Sequence, residues 1–149
     1  MTAVIDASVV VAGFLDRERE GLWARSVLST RSLAGPELLL AETCNLLRHM
    51  ELAGHISQLE STSSFRDLLQ LKFLLFPFMP FAERIWALRG NLTSYDAWYV
   101  AIAEQLDCPL FTLDKRLSRA AGPLCEIITP PALDFPQVVH QRAGRSTAH

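Results

Sequence analysis

Residues 92–114, Leu-Thr-Ser-Tyr-Asp-Ala-Trp-Tyr-Val-Ala-Ile-Ala-Glu-Gln-Leu-Asp-Cys-Pro-Leu-Phe-Thr-Leu-Asp, constrain the fold more than any other stretch of the chain. They read as a helix over 93–107, a short turn and a strand over 110–113. One carboxylate opens the helix and another stands just past the strand. At helical periodicity Asp96 shares a face with Tyr99, Val100 and Ala103. That face is apolar and partly small, so it packs inward and carries Asp96 toward the core. A buried carboxylate is costly unless it is hydrogen-bonded, paired or bound to a metal. The sequence therefore places a cost here that a functional site would explain.

The rest of the chain repeats the alternation of strand and helix. Residues 2–5 form a β-rich run that ends at Asp6, and Ala7, Val10, Val11 and Phe14 recur at helical spacing over 7–15. A charged stretch, 16–20, precedes a second amphipathic helix that carries Leu22, Trp23 and Val27 and ends near Arg31. Gly35-Pro36 reads as a break with proline in the first turn of the next helix, 37–53. That helix is expected to bury Leu39, Thr43, Leu46, Leu47 and Met50 and to stop at Gly54. Residues 55–71 fit one bent helix or two short ones, because Ser61-Thr62-Ser63-Ser64 interrupts the pattern. A strand over 72–76 is closed by Pro77, and Pro80 opens a helix ended by Gly90. A short helix after Asp114 and a strand over 124–129 complete the regular structure.

Short strands alternating with helices predict a single α/β domain. Its sheet should be mainly parallel, about four to five strands, with helices on both faces. Ligands of such sheets bind beyond the carboxyl ends of the strands. Asp6 and Asp114 both fall there, and Asp96 opens the helix leading into one of those strands.

Composition narrows the function. With a formal net charge of −2 over 149 residues, the chain is no polycation. Any nucleic-acid partner therefore needs a local basic patch or a bound cation. The longest apolar candidate, 73–81, is cut by Pro77 and Pro80 and falls short of a membrane span. No basic region precedes an apolar segment at the N-terminus, so no signal peptide is expected. Cys44, Cys108 and Cys125 are odd in number and lack paired zinc spacing. They read as small buried hydrophobes of a reducing, cytoplasmic compartment.

Each acid has a plain structural reading beside the functional one. Asp6 reads equally well as an N-cap, while Ser8 could cap in its place or hydrogen-bond to it. Asp96 follows Thr93 by three residues, as in a capping box. Asp114 also precedes a helix, and Lys115, Arg116 and Arg119 beside it are either ordinary surface charge or phosphate contacts. Glu42 stands with Asn45 and His49 on one helix face, where glutamate is common. One metal site explains all four acids together, since a divalent cation removes the repulsion of clustered carboxylates. The candidate ligands are all oxygens, which favours Mg²⁺ or Mn²⁺ over zinc and leaves His49 aside. No Walker-A or Gly-x-Gly-x-x-Gly loop is present.

Four segments resemble the motifs of a known family. They are Ile5-Asp6-Ala7-Ser8, Glu42-Thr-Cys-Asn45-Leu-Leu-Arg48, the run from Leu92 to Glu104, and Phe111-Thr112-Leu-Asp114-Lys-Arg-Leu117. In order and spacing they are similar to PIN-domain ribonucleases, above all the VapC toxins of bacterial toxin–antitoxin pairs. The resemblance spans about residues 2–129 and implies a PIN domain, bounded here at 1–136, while residues 137–149 are polar and read as a frayed tail. It also implies an endoribonuclease dependent on Mg²⁺, with Mn²⁺ as a substitute, that cleaves cellular RNA by attack of a metal-activated water on a phosphodiester. Asp6, Glu42, Asp96 and Asp114 would form the metal site. Ser8 and Thr112 would hydrogen-bond beside it, and Asn45 would orient Glu42. A homodimer and a VapB-type antitoxin that occludes the acids are further implications.

Two other function classes fit parts of the pattern. A catalytically silent PIN-like interaction module would gain nothing from the clustered acids. An acid-and-magnesium phosphatase or phospho-receiver would want a second aspartate where Ser8 stands, or a better-placed lysine than Lys115. The apolar segment 73–81 is expected in the core, or on a partner surface if its phenylalanines are exposed together.

Overall fold

The computed structural model describes residues 1–132. In it the first apolar run becomes the central strand of a five-stranded sheet. β1 (Thr2–Ile5) pairs in parallel with β2 (Ser32–Pro36) on one side and β4 (Leu110–Phe111) on the other. β3 (Phe73–Phe76) and β5 (Ile127–Ile128) form the two edges, giving the order β3-β2-β1-β4-β5 with every pair parallel. Ala3, Val4 and Ile5 are fully buried, as expected of a strand covered on both faces.

The connections are α1 (Ala7–Leu15) and α2 (Arg19–Thr30), then α3 (Leu38–Leu52) and α4 (Gln58–Gln70). A 3-10 turn (Met79–Phe81) with α5 (Ala82–Ala87) and α6 (Ser94–Leu106) leads to β4, and α7 (Lys115–Arg119) leads to β5. α1 to α4 pack on one another and α5 packs on α6, the grouping on opposite faces that right-handed crossovers give for this strand order. The chain moves outward from β1 to β3, then returns to β4 on the opposite side of β1. The carboxyl ends of β1 and β4 are therefore the topological switch point, where open parallel sheets bind ligands.

α6 is the most deeply packed helix: Ala97, Tyr99, Val100, Ala101, Ile102 and Ala103 are all buried. Its small residues let it approach β1, β2 and β4 closely. Among the described residues, no helix is long and apolar enough to cross a membrane.

Several expectations are corrected. Gly35-Pro36 does not open a helix but ends β2, a strand between β1 and β3. Neighbours on both sides impose the extended state on a segment with no β-branched residue. Gly35 also keeps room for α3, since a Cβ there would lie 3.0 Å from the Leu39 Cδ2 atom. Of the two readings left open for 55–71, the structure takes the single helix, α4, which begins at Gln58 after a complete capping box between Ser57 and Glu60. Leu46 is 39% exposed rather than buried, and Met50 is half-buried. The cysteines are free, and all three are only partly buried. The 73–81 segment divides: Phe81 is buried and meets Phe76 edge to face, while Leu74, Phe78 and Met79 are exposed. The tail over 137–149 and the domain limit at 136 lie outside the described residues.

Candidate active site

Asp6 leaves β1 in extended conformation at the N-cap position of α1, yet its side chain caps nothing. Instead its Oδ2 accepts hydrogen bonds from the Thr112 hydroxyl at 2.7 Å and the Ser8 hydroxyl at 3.1 Å. Thr112 has no exposed surface, and its Oγ1 also accepts the Asp114 backbone N–H at 3.0 Å. The Ser8 hydroxyl accepts the Leu113 N–H at 3.2 Å. Two small hydroxyls thus tie the end of β1 to the end of β4 and fix where Asp6 and Asp114 stand. Both were singled out in the sequence beside the acids, and the structure gives each a specific bond.

Asp96 lies in the first turn of α6, where the Thr93 hydroxyl accepts its backbone N–H at 3.1 Å. The return bond of a capping box is absent, so the carboxylate is not used as a cap. Burial first, then the negative charges of Asp6 and Asp114, raise its pKa above the ordinary aspartate value. Asp114 does cap: its Oδ1 accepts the Arg116 N–H at 2.9 Å and lies 3.5 Å from the Arg116 Nε. Arg116 is 92% exposed, so this ion pair is weak. Lys115 and Arg119 are exposed on the same short helix.

Glu42 projects from α3 into the same group. Burial, then the charges of Asp6 and Asp96, push its pKa from 4.5 up to about 7. Its Oε1 is buried without a hydrogen-bond partner. Asn45, the residue expected to orient Glu42, is exposed and makes no hydrogen bond to it. His49 is exposed as well.

The four acids therefore sense one another across the switch point. Among the described residues, no three acidic, histidine or cysteine side chains are gathered tightly enough to enclose a metal ion. Mg²⁺ does not require such a cage, since it commonly keeps several waters and binds through one or two carboxylates. The oxygen-only donor set and the orphaned Glu42 oxygen fit such a cation. A cavity of about 740 Å³, which none of the four acids lines, is bounded by Lys115, the residue after Asp114, with Asp16, Arg19, Trp23 and Pro130.

Two features escaped the sequence reading. Tyr99 is 2% exposed and its hydroxyl lies unpartnered among the acids. The signal was available as the one polar atom on an apolar stripe three residues from Asp96. The other is a clasp in which Arg84 Nε and Nη2 donate to the two Glu104 oxygens at 2.8 and 2.9 Å. Arg84 also donates to the Gly122 carbonyl, and Glu104 accepts the Leu124 N–H, both at 2.9 Å. No local pattern reveals a contact between helices 20 residues apart.

Comparison with known proteins identifies the family and the fold. The family model described as "PIN domain" matches residues 3–123. Ribonuclease VapC1 of Mycobacterium tuberculosis is 38% identical over 125 residues, 83% of this chain and 94% of that protein. Ribonuclease VapC9 of the same organism is 33% identical over 128 residues, 86% of this chain and 98% of that protein. Among solved structures, M. tuberculosis VapC20, described as a sarcin-ricin loop cleaving toxin, superposes with a TM-score of 0.61 at 13% identity, covering 78% of this chain and 93% of that one. A toxin–antitoxin complex from Klebsiella pneumoniae gives 0.59 at 19% identity, covering 88% and 99%. At those identities the structures establish the shared fold, while the two sequence relatives establish the family. The chain belongs to the PIN-domain family, as one of its VapC-type ribonucleases.

Proposed function

We propose that this protein is a divalent-cation-dependent endoribonuclease toxin restrained by a cognate VapB-type antitoxin. The observation that carries the reading is the meeting of Asp6, Glu42, Asp96 and Asp114 at the β1–β4 switch point, with a buried Glu42 oxygen that no protein donor satisfies. A scaffold that only binds partners has no use for mutually repelling, half-buried carboxylates. Mg²⁺, or Mn²⁺ in its place, would be held by these four residues. When bound, such a cation activates water and offsets the charge of a phosphodiester in the transition state.

The chain's own residues do the rest. Thr112 and Ser8 hold Asp6 through one oxygen, so its direction does not change when substrate arrives. Lys115, Arg116 and Arg119 offer positive charge for the RNA backbone beside an otherwise acidic site. The exposed Arg116–Asp114 pair is weak enough for a phosphate to take the guanidinium. RNA is the substrate class favoured by the names of the sequence relatives. The family resemblance supports a homodimer, and the three unpaired cysteines support a cytoplasmic location.

The test is incubation of purified, antitoxin-free protein with total bacterial RNA in Mg²⁺ or Mn²⁺. Discrete fragments that vanish with EDTA and with Asp96→Asn, whose circular dichroism stays unchanged, are expected. Cleavage that survives Asp96→Asn would overturn the assignment.

A further inference from the structure

Two buried oxygens near the acidic site lack a hydrogen-bond partner: Oε1 of Glu42 and the hydroxyl of Tyr99. Buried phenols nearly always find a partner, and those that do not call for an explanation. Every other buried side chain of α6, from Ala97 to Ala103, is wholly apolar. A phenylalanine would therefore serve packing equally well at this position. The Tyr99 hydroxyl is instead placed where three carboxylates act on it, Glu42 the most strongly, followed by Asp6 and Asp96. The Ala7 amide faces the same oxygen without reaching hydrogen-bonding geometry.

The donors available to the acids are unevenly shared. Asp6 accepts two hydroxyls and Asp114 accepts an amide, whereas the buried oxygen of Glu42 accepts nothing. A phenol has one proton to donate and an ionised carboxylate only accepts. The idle donor and the idle acceptor are complementary. We propose that Tyr99 is a positioning residue of the cation site, donating its hydroxyl proton to the Glu42 carboxylate when that carboxylate turns to a bound divalent cation. This rests on the cation-dependent reading above. It adds that one of the ligands is oriented from beneath by α6, the helix that also carries Asp96. Groups that hold a metal ligand in this way typically change metal affinity about 10- to 100-fold when removed.

The experiment is calorimetric titration of the metal-free full chain with Mn²⁺, comparing wild type, Tyr99→Phe, Glu42→Gln and the double variant, with melting temperatures of all four in EDTA. Tyr99→Phe should bind Mn²⁺ about 10-fold or more weakly. Its melting temperature in EDTA should equal or exceed that of wild type, because the deleted hydroxyl has no partner there. In the Glu42→Gln background, Tyr99→Phe should cause no further loss of affinity. Unchanged affinity in Tyr99→Phe, with wild type binding normally, would refute the role of Tyr99 alone. A lower melting temperature in EDTA would show a structural hydrogen bond already made, which also overturns it. Failure of wild type to bind Mn²⁺ would remove the cation reading itself, and the inference with it.

Discussion

Glu42→Gln should stabilise the metal-free protein at alkaline pH, the reverse of what removing a functional glutamate usually suggests. The folded state holds the Glu42 proton more tightly than the unfolded chain, with a pKa of about 7 against 4.5. Between those values the folded protein binds more protons, so stability falls as pH rises through the window. At ~1.36 kcal/mol per unit the rise from 4.5 to about 7 corresponds to at most ~3.4 kcal/mol. Partial exposure of the side chain and solvent screening reduce this to roughly 1–2 kcal/mol. For a chain of this size that is about 2–8 °C in Tm. Differential scanning calorimetry in EDTA at pH 5 and pH 8 measures it. Wild type should lose stability on going to pH 8, and Glu42→Gln should lose less, ending above wild type. Saturating Mn²⁺ at pH 8 should restore wild type, by about 2.7 kcal/mol at 100 times the dissociation constant, and do little for the variant. A variant less stable than wild type by the same amount at both pH values would refute the electrostatic origin of the strain.

Thr112→Val keeps the shape of a buried side chain but deletes the donor to Asp6 and the acceptor for the Asp114 amide. It should cost about 1–3 kcal/mol in chemical denaturation, and Thr112→Ser should recover most of it. Gly21→Ala should destabilise by about 1–3 kcal/mol although alanine is the better helix former. The added Cβ would fall 1.8 Å from the Asp16 carbonyl oxygen, which belongs to backbone and cannot turn away. Glu104 responds to pH in the opposite sense to Glu42. Burial raises its pKa, but the Arg84 guanidinium and the Leu124 amide outweigh burial and hold it below the ordinary value. Its contribution is present at neutral pH and is lost as pH falls below about 4.5, so Arg84→Met should flatten the acid limb of the stability curve.

Those energetics also explain what could be read from the sequence. Asp6 and Asp114 were legible because a fully buried parallel strand is an unbroken apolar run, and its end marks the edge where ligands bind. Asp96 was legible because helical periodicity turned it toward buried small residues. β2 was not, since Ser-Leu-Ala-Gly-Pro carries turn residues and owes its strand to β1 and β3 on either side. For Asn45 the sequence is less informative, because helical spacing gives direction only to within a wide arc. Glu42 leans inward along one edge of that arc, and Asn45 stands in water on the other. Tyr99 reads as apolar packing in the sequence, and only its unpartnered oxygen separates it from a phenylalanine. The Arg84–Glu104 clasp joins two helices whose packing depends on the return of the chain from β3 to β4.

The most direct test of a cation centre at the β1–β4 switch point is Mn²⁺-induced line broadening in the backbone NMR spectrum of metal-free protein. Broadening should begin at substoichiometric Mn²⁺, centre on Asp6, Glu42, Asp96 and Asp114, and reverse with excess Mg²⁺. Broadening centred instead on Asp16, Glu18 and Glu20 of the neighbouring cavity, or spread evenly over the surface, would contradict it.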